Sequence, residues 1–384
     1  MCFNIYRQKT LPYLLKKEKM KWWYLSININ GEYVIKKEKF NKLKGGKSMK
    51  NTVTIKDVAK KAGVSISTVS RVINNSKPVT DEIKKKVLDV IEETGYVPNP
   101  LARSLVTKKS QLIGVVVPEV SDSFVNEILN GIEEIARMYN YDILLSNTYS
   151  DKNEEMRSIN LLRAKQIEGM VMISWDLGKE QVEYIENCGI PTTYISKTAR
   201  DYDVPTVSVN NEKATYDMTN HLISQGHKKI AFVMTSAGDT RLEKERLDGY
   251  KSALAENGIE FNEELVRYGG VDYNSGYEST KDILEKGIVP DAVFVTGDEA
   301  AVGAMNAVFD KGYSVPNDIS VAGFNDVKIA RMYRPKLTTV HQPLYDMGAV
   351  AIRMVIKMIN GEEIEEKKVE LPHRIEERES VIKK

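Results

Sequence analysis

The chain has 384 residues, with 55 Lys and Arg against 54 Asp and Glu, and a formal net charge of +1. Two cysteines are too few for a disulfide framework and suit a reducing compartment, so a cytoplasmic protein is expected. No apolar run is long enough to span a bilayer, and the four histidines, at 221, 227, 341 and 373, show no metal-ligand spacing, which argues against a membrane or metal protein.

Residues 1–48 hold twelve Lys and Arg against three Asp and Glu. They alternate weakly near 22–28 and 33–35, and no apolar segment leads to a small-residue cleavage site, so they do not read as a secretory signal. Lys44-Gly45-Gly46-Lys47-Ser48-Met49 suggests another origin. Gly-Gly codons can read as a purine-rich ribosome-binding element, with Met49 at start-codon spacing. The expectation is that translation begins at Met49 and that 1–48 is a non-native or disordered extension. An additional DNA-binding arm is the alternative.

From Thr54 the periodicity becomes helical. Ile55, Val58 and Ala59 share a face, Thr54 is placed to cap it, and Gly63 ends it. Ser65 caps a second helix with Val69 and Val72 inside. A third follows Thr80, with Ile83, Val87, Val90 and Ile91 apolar and Gly95 as its stop. Two short helices across a Gly-containing turn, braced by a third, make a helix-turn-helix unit over 52–98. The second helix is the expected reader of the major groove. Ile66 offers contact to a thymine methyl, Ser67 and Thr68 offer hydroxyls, and the fork of Arg71 suits guanine or phosphate. Thr54, Ser65, Ser70 and Asn74 complete the expected contacts of this unit.

Residues 99–109 read as a hinge helix and linker. Asn99 can cap a short helix with Pro100 first, Leu101, Ala102 and Leu105 along one edge, and Arg103 beside them. Such a helix is too short to be stable alone. Asn99, Leu101, Ala102 and Leu105 are therefore expected at DNA, with Leu105 a wedge between minor-groove base steps. Residues 54–108 carry ten basic against six acidic residues, whereas 109–384 carry 32 against 45, so phosphate contacts should be local to the head.

From Leu112 strands alternate with helices. Strand-like runs lie at 112–117, 141–145, 169–173, 192–195, 230–233, 291–295 and 320–323, with amphipathic helices such as 124–138, 154–165 and 216–224 between them. Apolar strands between helices imply buried parallel sheets, and the length implies two α/β lobes within 110–384. The expected lobes are about 110–210 with 340–372, and about 211–339 with the C-terminal tail. A cleft should lie at the carboxyl ends of the strands. Its expected lining is Ser121, Asp122, Trp175, Asn210, Arg246, Asp298 and Asp326, with Ser146, Asn147, Ser174 and Asn325 as further strand-end residues. His227 is expected to serve a turn or cap. Neither a nucleophile elbow nor a phosphate-binding Gly-rich loop occurs, so an enzyme is not expected.

TIKDVAKKAGVSISTVSRVINN followed by GYVPNPLARSL resembles the DNA-binding and hinge segments of the lactose/galactose repressor family. GHKKIAFV, VFVTGDEAAVG and VPNDISVAGFND continue the resemblance through the body. It implies a helix-turn-helix head and hinge, followed by a two-lobed periplasmic-binding-protein-like core that binds a pseudo-palindromic operator as a homodimer. By resemblance Ile66, Ser67 and Arg71 take base-reading places, Leu105 the intercalating place, and Arg246 and Asp298 the places that grip sugar effectors. QPLYDMGAVAIRMVIKMI and LPHRIEERES resemble a carbon-catabolite branch controlled by a partner protein, serine-phosphorylated HPr. That resemblance implies a co-repressor surface of Tyr139, Met332, Tyr345, Asp346, Arg353 and Arg374. Arg246 departs from the branch, which usually carries Lys there, so a sugar or sugar-phosphate effector stays open. A repressor controlled directly by a sugar is the alternative reading. A solute-binding protein without DNA function is a third, from another class. No cofactor is implied.

Overall fold

The computed structural model describes residues 53–74, 77–97, 109–175, 178–195, 202–234, 241–269 and 272–384, and two short strands before them. It forms two units, Met1–Asn99 and Pro100–Lys384. In the first, β1 (Tyr24–Ile27) pairs antiparallel with β2 (Tyr33–Lys36), placing Tyr24 opposite Lys36. The stretch expected as a disordered extension therefore contains a two-stranded ribbon.

Three helices follow, α1 (Ile55–Ala62), α2 (Ile66–Asn74) and α3 (Asp81–Thr94). Thr54 and Asp57 form a reciprocal capping box at the start of α1. The Thr54 hydroxyl and backbone hold the Asp57 carboxyl below its usual range. Gly63 and Gly95 end α1 and α3 with φ of 63° and 62°, a left-handed cap that costs glycine little. Ser65 Oγ accepts from the Thr68 amide at 3.1 Å and so caps α2. Val58, Ala59, Ala62, Val69, Val72, Val87 and Val90 make the small core where the helices meet.

The second unit begins with β3 (Leu112–Val117), α4 (Ser123–Met138), β4 (Asp142–Asn147), α5 (Lys152–Ala164), β5 (Gly169–Ile173), α6 (Lys179–Asn187), β6 (Thr192–Ile195) and β7 (Thr206–Val209). It continues with α7 (Asn211–Ser224), β8 (Ile230–Met234), α8 (Arg241–Glu256), β9 (Val266–Tyr268), α9 (Tyr273–Glu285), β10 (Ala292–Val295), α10 (Asp298–Asp310), β11 (Ser320–Asn325), α11 (Lys328–Met332) and β12 (Thr338–His341). It closes with α12 (Leu344–Ile359), β13 (Lys368–Leu371) and β14 (Arg374–Glu376).

Two six-stranded sheets result. One has the order β13-β7-β6-β5-β3-β4, parallel throughout, with Ile113 opposite both Ile143 and Gly169. The other has the order β14-β12-β11-β10-β8-β9, with only β14 antiparallel. Each sheet is buried on both faces, which is why β3, β5, β8 and β10 read as near-continuous apolar runs. The chain passes between the sheets after β7, after β12 and after β13. Among the described residues no helix is long and apolar enough to cross a membrane.

His227 serves a turn, as expected, and does more. Its amide closes the turn after α7, donating to the Leu222 carbonyl at 3.2 Å, and its ring is also buried, with Nε2 3.0 Å from the Ile382 carbonyl oxygen. The C-terminal tail covers it, with the Lys384 amide donating to the Gln225 carbonyl at 2.8 Å.

Helix pairs in both lobes cross at glycines. Gly131 of α4 faces the Tyr345 carbonyl oxygen of α12, and Gly348 of α12 faces that of Ile128. Gly276 of α9 faces the Ala300 carbonyl oxygen of α10, and Gly303 of α10 faces that of Tyr273. A Cβ at any of these positions overlaps facing backbone, which cannot rotate away as a side chain can. Gly276→Ala is therefore expected to lower the core's unfolding free energy by about 3 kcal/mol, at the upper end of overpacking costs. Denaturant titration checks this, and a loss below ~0.5 kcal/mol would show that the helices separate freely.

Candidate functional site

The head presents a compact outer face on α2. Ser65, Ile66, Ser67 and Arg71 are exposed, Thr68 and Ser70 are half-buried, and Val69 and Val72 point inward. Ile66 is 44% exposed although apolar, a cost in water that a thymine methyl would relieve. Ser67 Oγ and Thr68 Oγ1 lie 2.7 and 2.8 Å from Ser65 Oγ, so these hydroxyls are pre-ordered at the start of α2. Thr54 is exposed at the start of α1. Asn99, Leu101, Ala102 and Leu105, and the side chain of Asn74, lie outside the described residues.

In the second unit the carboxyl ends of both sheets line a cavity of about 690 Å³. Ser121, Asp122, Ser174, Trp175, Arg246, Asp298 and Asn325 are in its wall, as expected from strand-end positions. Asp122 caps α4, accepting from the Phe124 amide at 2.8 Å. Burial pushes its carboxyl up, and Glu299 and Glu119 push it further. Trp175 sits tilted on Phe124, with centroids 5.2 Å apart, as an aromatic wall.

Arg246, 8% exposed, is fixed on α8. Its Nε and Nη2 donate to Asn211 Oδ1 at 3.4 and 3.3 Å, and its Nη1 donates to the Thr296 carbonyl at 3.4 Å. The guanidinium lies 4.5 Å from the Phe324 ring centroid. Burial lowers its pKa to about 10, against the pull of Glu243 and Glu245.

Asp298 opens α10 and is 1% exposed. Its Oδ1 accepts from Thr339 Oγ1 at 2.6 Å and its Oδ2 from the Val327 amide at 2.8 Å. Gly323 on β11 provides the space, since a Cβ there would overlap Asp298 Oδ1. Burial raises the Asp298 pKa to about 7, with both hydrogen bonds opposing and Asp326 adding to the rise.

Two expected liners stand elsewhere. Asn210 caps α7, its Oδ1 accepting from the Lys213 amide at 3.0 Å, and its neighbour Asn211 lines the cavity instead. Asp326 is held behind the wall in an ion-pair hub. His341 Nδ1 is 2.9 Å from its Oδ2, and Arg378 Nη2 donates to its Oδ1 at 2.6 Å. Although burial works to raise it, His341 and Arg378 hold its carboxyl below the usual range. Asp326, His341 and Glu376 bring ligand-type atoms together, but Arg378 also approaches Glu376 at 3.8 Å and takes the place a cation would need. Ser146 and Asn147 are also absent from the wall, and Ser146 Oγ donates to Ser158 Oγ at 2.8 Å. Glu119, Ser208, Asp272 and Glu299 line the cavity without having been singled out in the sequence.

The residues of the expected co-repressor surface are all exposed. Tyr345, Asp346 and Arg353 form the solvent edge of α12, Tyr139 caps α4, and Met332, 72% exposed, ends α11. A hydrogen bond to Glu134 raises the Tyr345 phenol. Arg374 Nε donates to Glu376 Oε1 at 2.5 Å. Arg353 forms no hydrogen bond or ion pair among the described residues.

The raised pKa of Asp298 makes a pH prediction. The folded state holds the proton more tightly than the unfolded chain, so the stability linked to Asp298 is present below about pH 4 and lost as pH rises through about 7. In Asp298→Asn the amide oxygen accepts from Val327 and the amide nitrogen donates to Thr339 Oγ1. Denaturation at pH 5 and pH 8 should show wild type losing more stability than the variant, by on the order of 2 kcal/mol. Equal slopes would mean that the carboxyl titrates normally.

Residues 54–99 match the bacterial regulatory proteins of the lacI family, and 219–381 match a periplasmic binding protein-like domain. Catabolite control protein A of Priestia megaterium is 40% identical over 328 residues, covering 85% of this chain and 99% of the relative. The HTH-type transcriptional regulator RegA of Clostridium saccharobutylicum is 41% identical over 329 residues, covering 86% and 99%. Among solved structures, a lac repressor dimer bound to operator and the anti-inducer ONPF aligns with a TM-score of 0.78 at 28% identity, over 86% of this chain and 99% of that one. The transcription regulator CcpA of Lactococcus lactis aligns at 0.65 and 33% identity, over 70% and 98%. With its helix-turn-helix head and its two-sheet core, the chain belongs to the LacI family of DNA-binding transcription regulators.

Proposed function

We propose that this chain controls carbon-metabolism genes by binding a pseudo-palindromic operator as a cytoplasmic homodimer, with serine-phosphorylated HPr as co-repressor. The observation that carries the co-repressor reading is the solvent edge of α12. Arg353 stands there without an ion-pair partner among the described residues, about two turns from Asp346 on a shared face, with the exposed Tyr345 next to Asp346 in the chain. A guanidinium free to form paired charge-assisted bonds suits a phosphoserine, while the ring supplies packing for the partner. The names of the relatives support the regulatory setting.

On this reading residues 52–98 read DNA and 99–109 form the hinge, with Leu105 as the wedge. Residues 110–384 supply the dimer contacts and the control sites. Ile66, Ser67 and Arg71 contact bases, and Thr54, Ser65, Thr68, Ser70 and Asn74 support them at phosphates or bases. The cleft supports a second reading, a repressor governed by a small ligand, because Arg246 and Asp298 are held rigidly in the wall of a ligand-sized cavity.

Dimeric binding predicts that a palindromic duplex binds far more tightly than a half-site, and that affinity falls steeply with added salt. Equal affinity for the two duplexes at one salt concentration would exclude the dimer.

An operator titration with purified HPr separates the two control readings. Serine-phosphorylated HPr should tighten operator binding by on the order of tenfold, and unphosphorylated HPr should leave it unchanged. Operator DNA must then raise the affinity for phosphorylated HPr by the same factor. Arg353→Ala should lose the phosphate-dependent part and Tyr345→Ala the packing. Identical titration curves for the two forms of HPr would transfer control to the cleft ligand.

A further inference from the structure

The residues just before β3 are held by more than the sheet ladders. β3 enters its ladders at Leu112, opposite Asp142, and at Ile113, opposite Gly169. Two backbone bonds mark those entries, from the Asp142 amide to the Gln111 carbonyl at 2.9 Å and from the Glu168 amide to the Leu112 carbonyl at 2.8 Å. Side chains then add a second set of bonds. Ser110 Oγ donates to the Gln166 carbonyl at 2.6 Å and accepts from the Leu112 amide at 3.3 Å. The Gln111 amide donates to Glu168 Oε1 at 2.6 Å. Ser110 and Gln111 are polar and half-buried, so this second set adds nothing to the apolar core.

Gln111 also stands at a φ of 55°, in the left-handed region that a residue with a Cβ adopts only at a cost. Such a residue persists where its surroundings over-determine it. Glu168, half-buried in front of β5, is the centre of those surroundings. Its other carboxylate oxygen accepts from the Tyr141 hydroxyl at 3.4 Å, in front of β4. Burial raises the Tyr141 phenol and Glu168 adds to the rise, so the phenol keeps its proton and stays a donor. One carboxylate thus brackets the starts of three strands. An ionised acceptor makes its bond to the Gln111 amide stronger than an amide–carbonyl bond. The backbone it grips is where the chain enters the core from 99–109, the stretch read as hinge and linker.

We infer that Glu168 is a positioning residue for DNA binding: by clamping Gln111 it sets the free length and the direction of the linker, and so the reach of the reading head. On the reading of the chain as a dimer on a pseudo-palindromic operator, on which this inference rests, the second head binds at an effective concentration set by its tether. Releasing Ser110 and Gln111 lengthens each tether and frees its direction. That freedom must be lost again when both heads are engaged, which weakens binding to the full site. A half-site engages one head, whose own base contacts the clamp does not touch, so its affinity stays the same.

The test uses the full chain at one salt concentration, with a palindromic duplex selected from random DNA by the wild-type protein and with its half-site. Glu168→Ala should lower the ratio of palindrome to half-site affinity at least fivefold while half-site affinity stays within about twofold of wild type. In Glu168→Gln the amide oxygen still accepts from Gln111 and the amide nitrogen can donate to the Tyr141 hydroxyl, so this variant should restore most of the ratio. Ser110→Ala should lower the ratio in the same direction by less, and it decides the matter if thermal melting shows that Glu168→Ala does not fold. An unchanged ratio in the folded variant overturns the clamp. A loss shared equally by palindrome and half-site also overturns it, because a damaged core reduces the active fraction without altering the tether. Wild type that binds both duplexes equally overturns the dimeric reading itself, and the clamp's role with it.

Discussion

The core is organised by a chain that cannot complete either sheet until its last residues are in place. β13 pairs with β7 in register from Lys368 opposite Thr206, and β14 pairs with β12 from Arg374 opposite His341. Three passages between the sheets follow from these pairings, and each has a polar anchor. Asn210 caps α7 at the first, Gln342 donates to Asn325 Oδ1 at 2.7 Å at the second, and His373 Nε2 lies 2.8 Å from Asp217 Oδ2 at the third. The carboxyl ends of both sheets are thereby brought to one cavity. Asp298 depends directly on this arrangement, because its partners are Val327, at the start of α11, and Thr339, on β12, and Gly323 of β11 gives it room.

A buried carboxyl at such a junction carries a stability cost that the fold retains. Replacing Asp298 with an apolar residue would leave the Val327 amide and the Thr339 hydroxyl unsatisfied, so the cost is shared by the whole seat. Arg246 repeats the pattern with opposite charge, since burial lowers its pKa while Asn211, the Thr296 carbonyl and the Phe324 ring hold it in one pose. Polar groups fixed before a ligand arrives lose little freedom on binding, so a small ligand needs fewer contacts to be held.

Much of this was readable from local pattern. The head was legible because Thr54, Gly63, Ser65 and Gly95 are caps whose effect lies within a few residues. The central strands were legible because burial on both faces makes them continuously apolar. β13 and β14 were not, because Lys368, Glu370 and Arg374 are exposed at sheet edges and the pairing partners lie far away in sequence. The Asn210–Asn211 pair shows the same limit. Capping spends the first asparagine and leaves the second facing the cavity, and a choice between adjacent amides needs the exact start of α7. Asp326 follows a strand as a liner should, but its φ of 60° and the tail residue Arg378 turn it into a structural ion pair. Ser208 gave no signal, because a serine in a short strand is ordinary until it is seen to line the cavity.

α4 is the element on which the proposed control sites converge. Its cap Asp122 and its first residue Ser123 line the cavity, and Tyr139 at its other end belongs to the proposed partner surface. Ser123 Oγ donates to Glu299 Oε1 at 2.5 Å, and Glu127 lies 3.6 Å from Lys328 Nζ, so the helix is tied to the second sheet's lobe at two points. α12 has a similar double position, with Met347 in the cavity wall and Tyr345, Asp346 and Arg353 on its solvent edge. Because α4 and α12 meet through backbone at Gly131 and Gly348, little soft side-chain material lies between them to absorb a shift. A change in lobe spacing that breaks the Ser123–Glu299 bond must therefore either move α12 with α4 or open their crossing. Close-packed interfaces favour the first, as a step between discrete arrangements. A cleft ligand and a partner on α12 would then bias the same two-state element, which makes any effect of one on the other reciprocal.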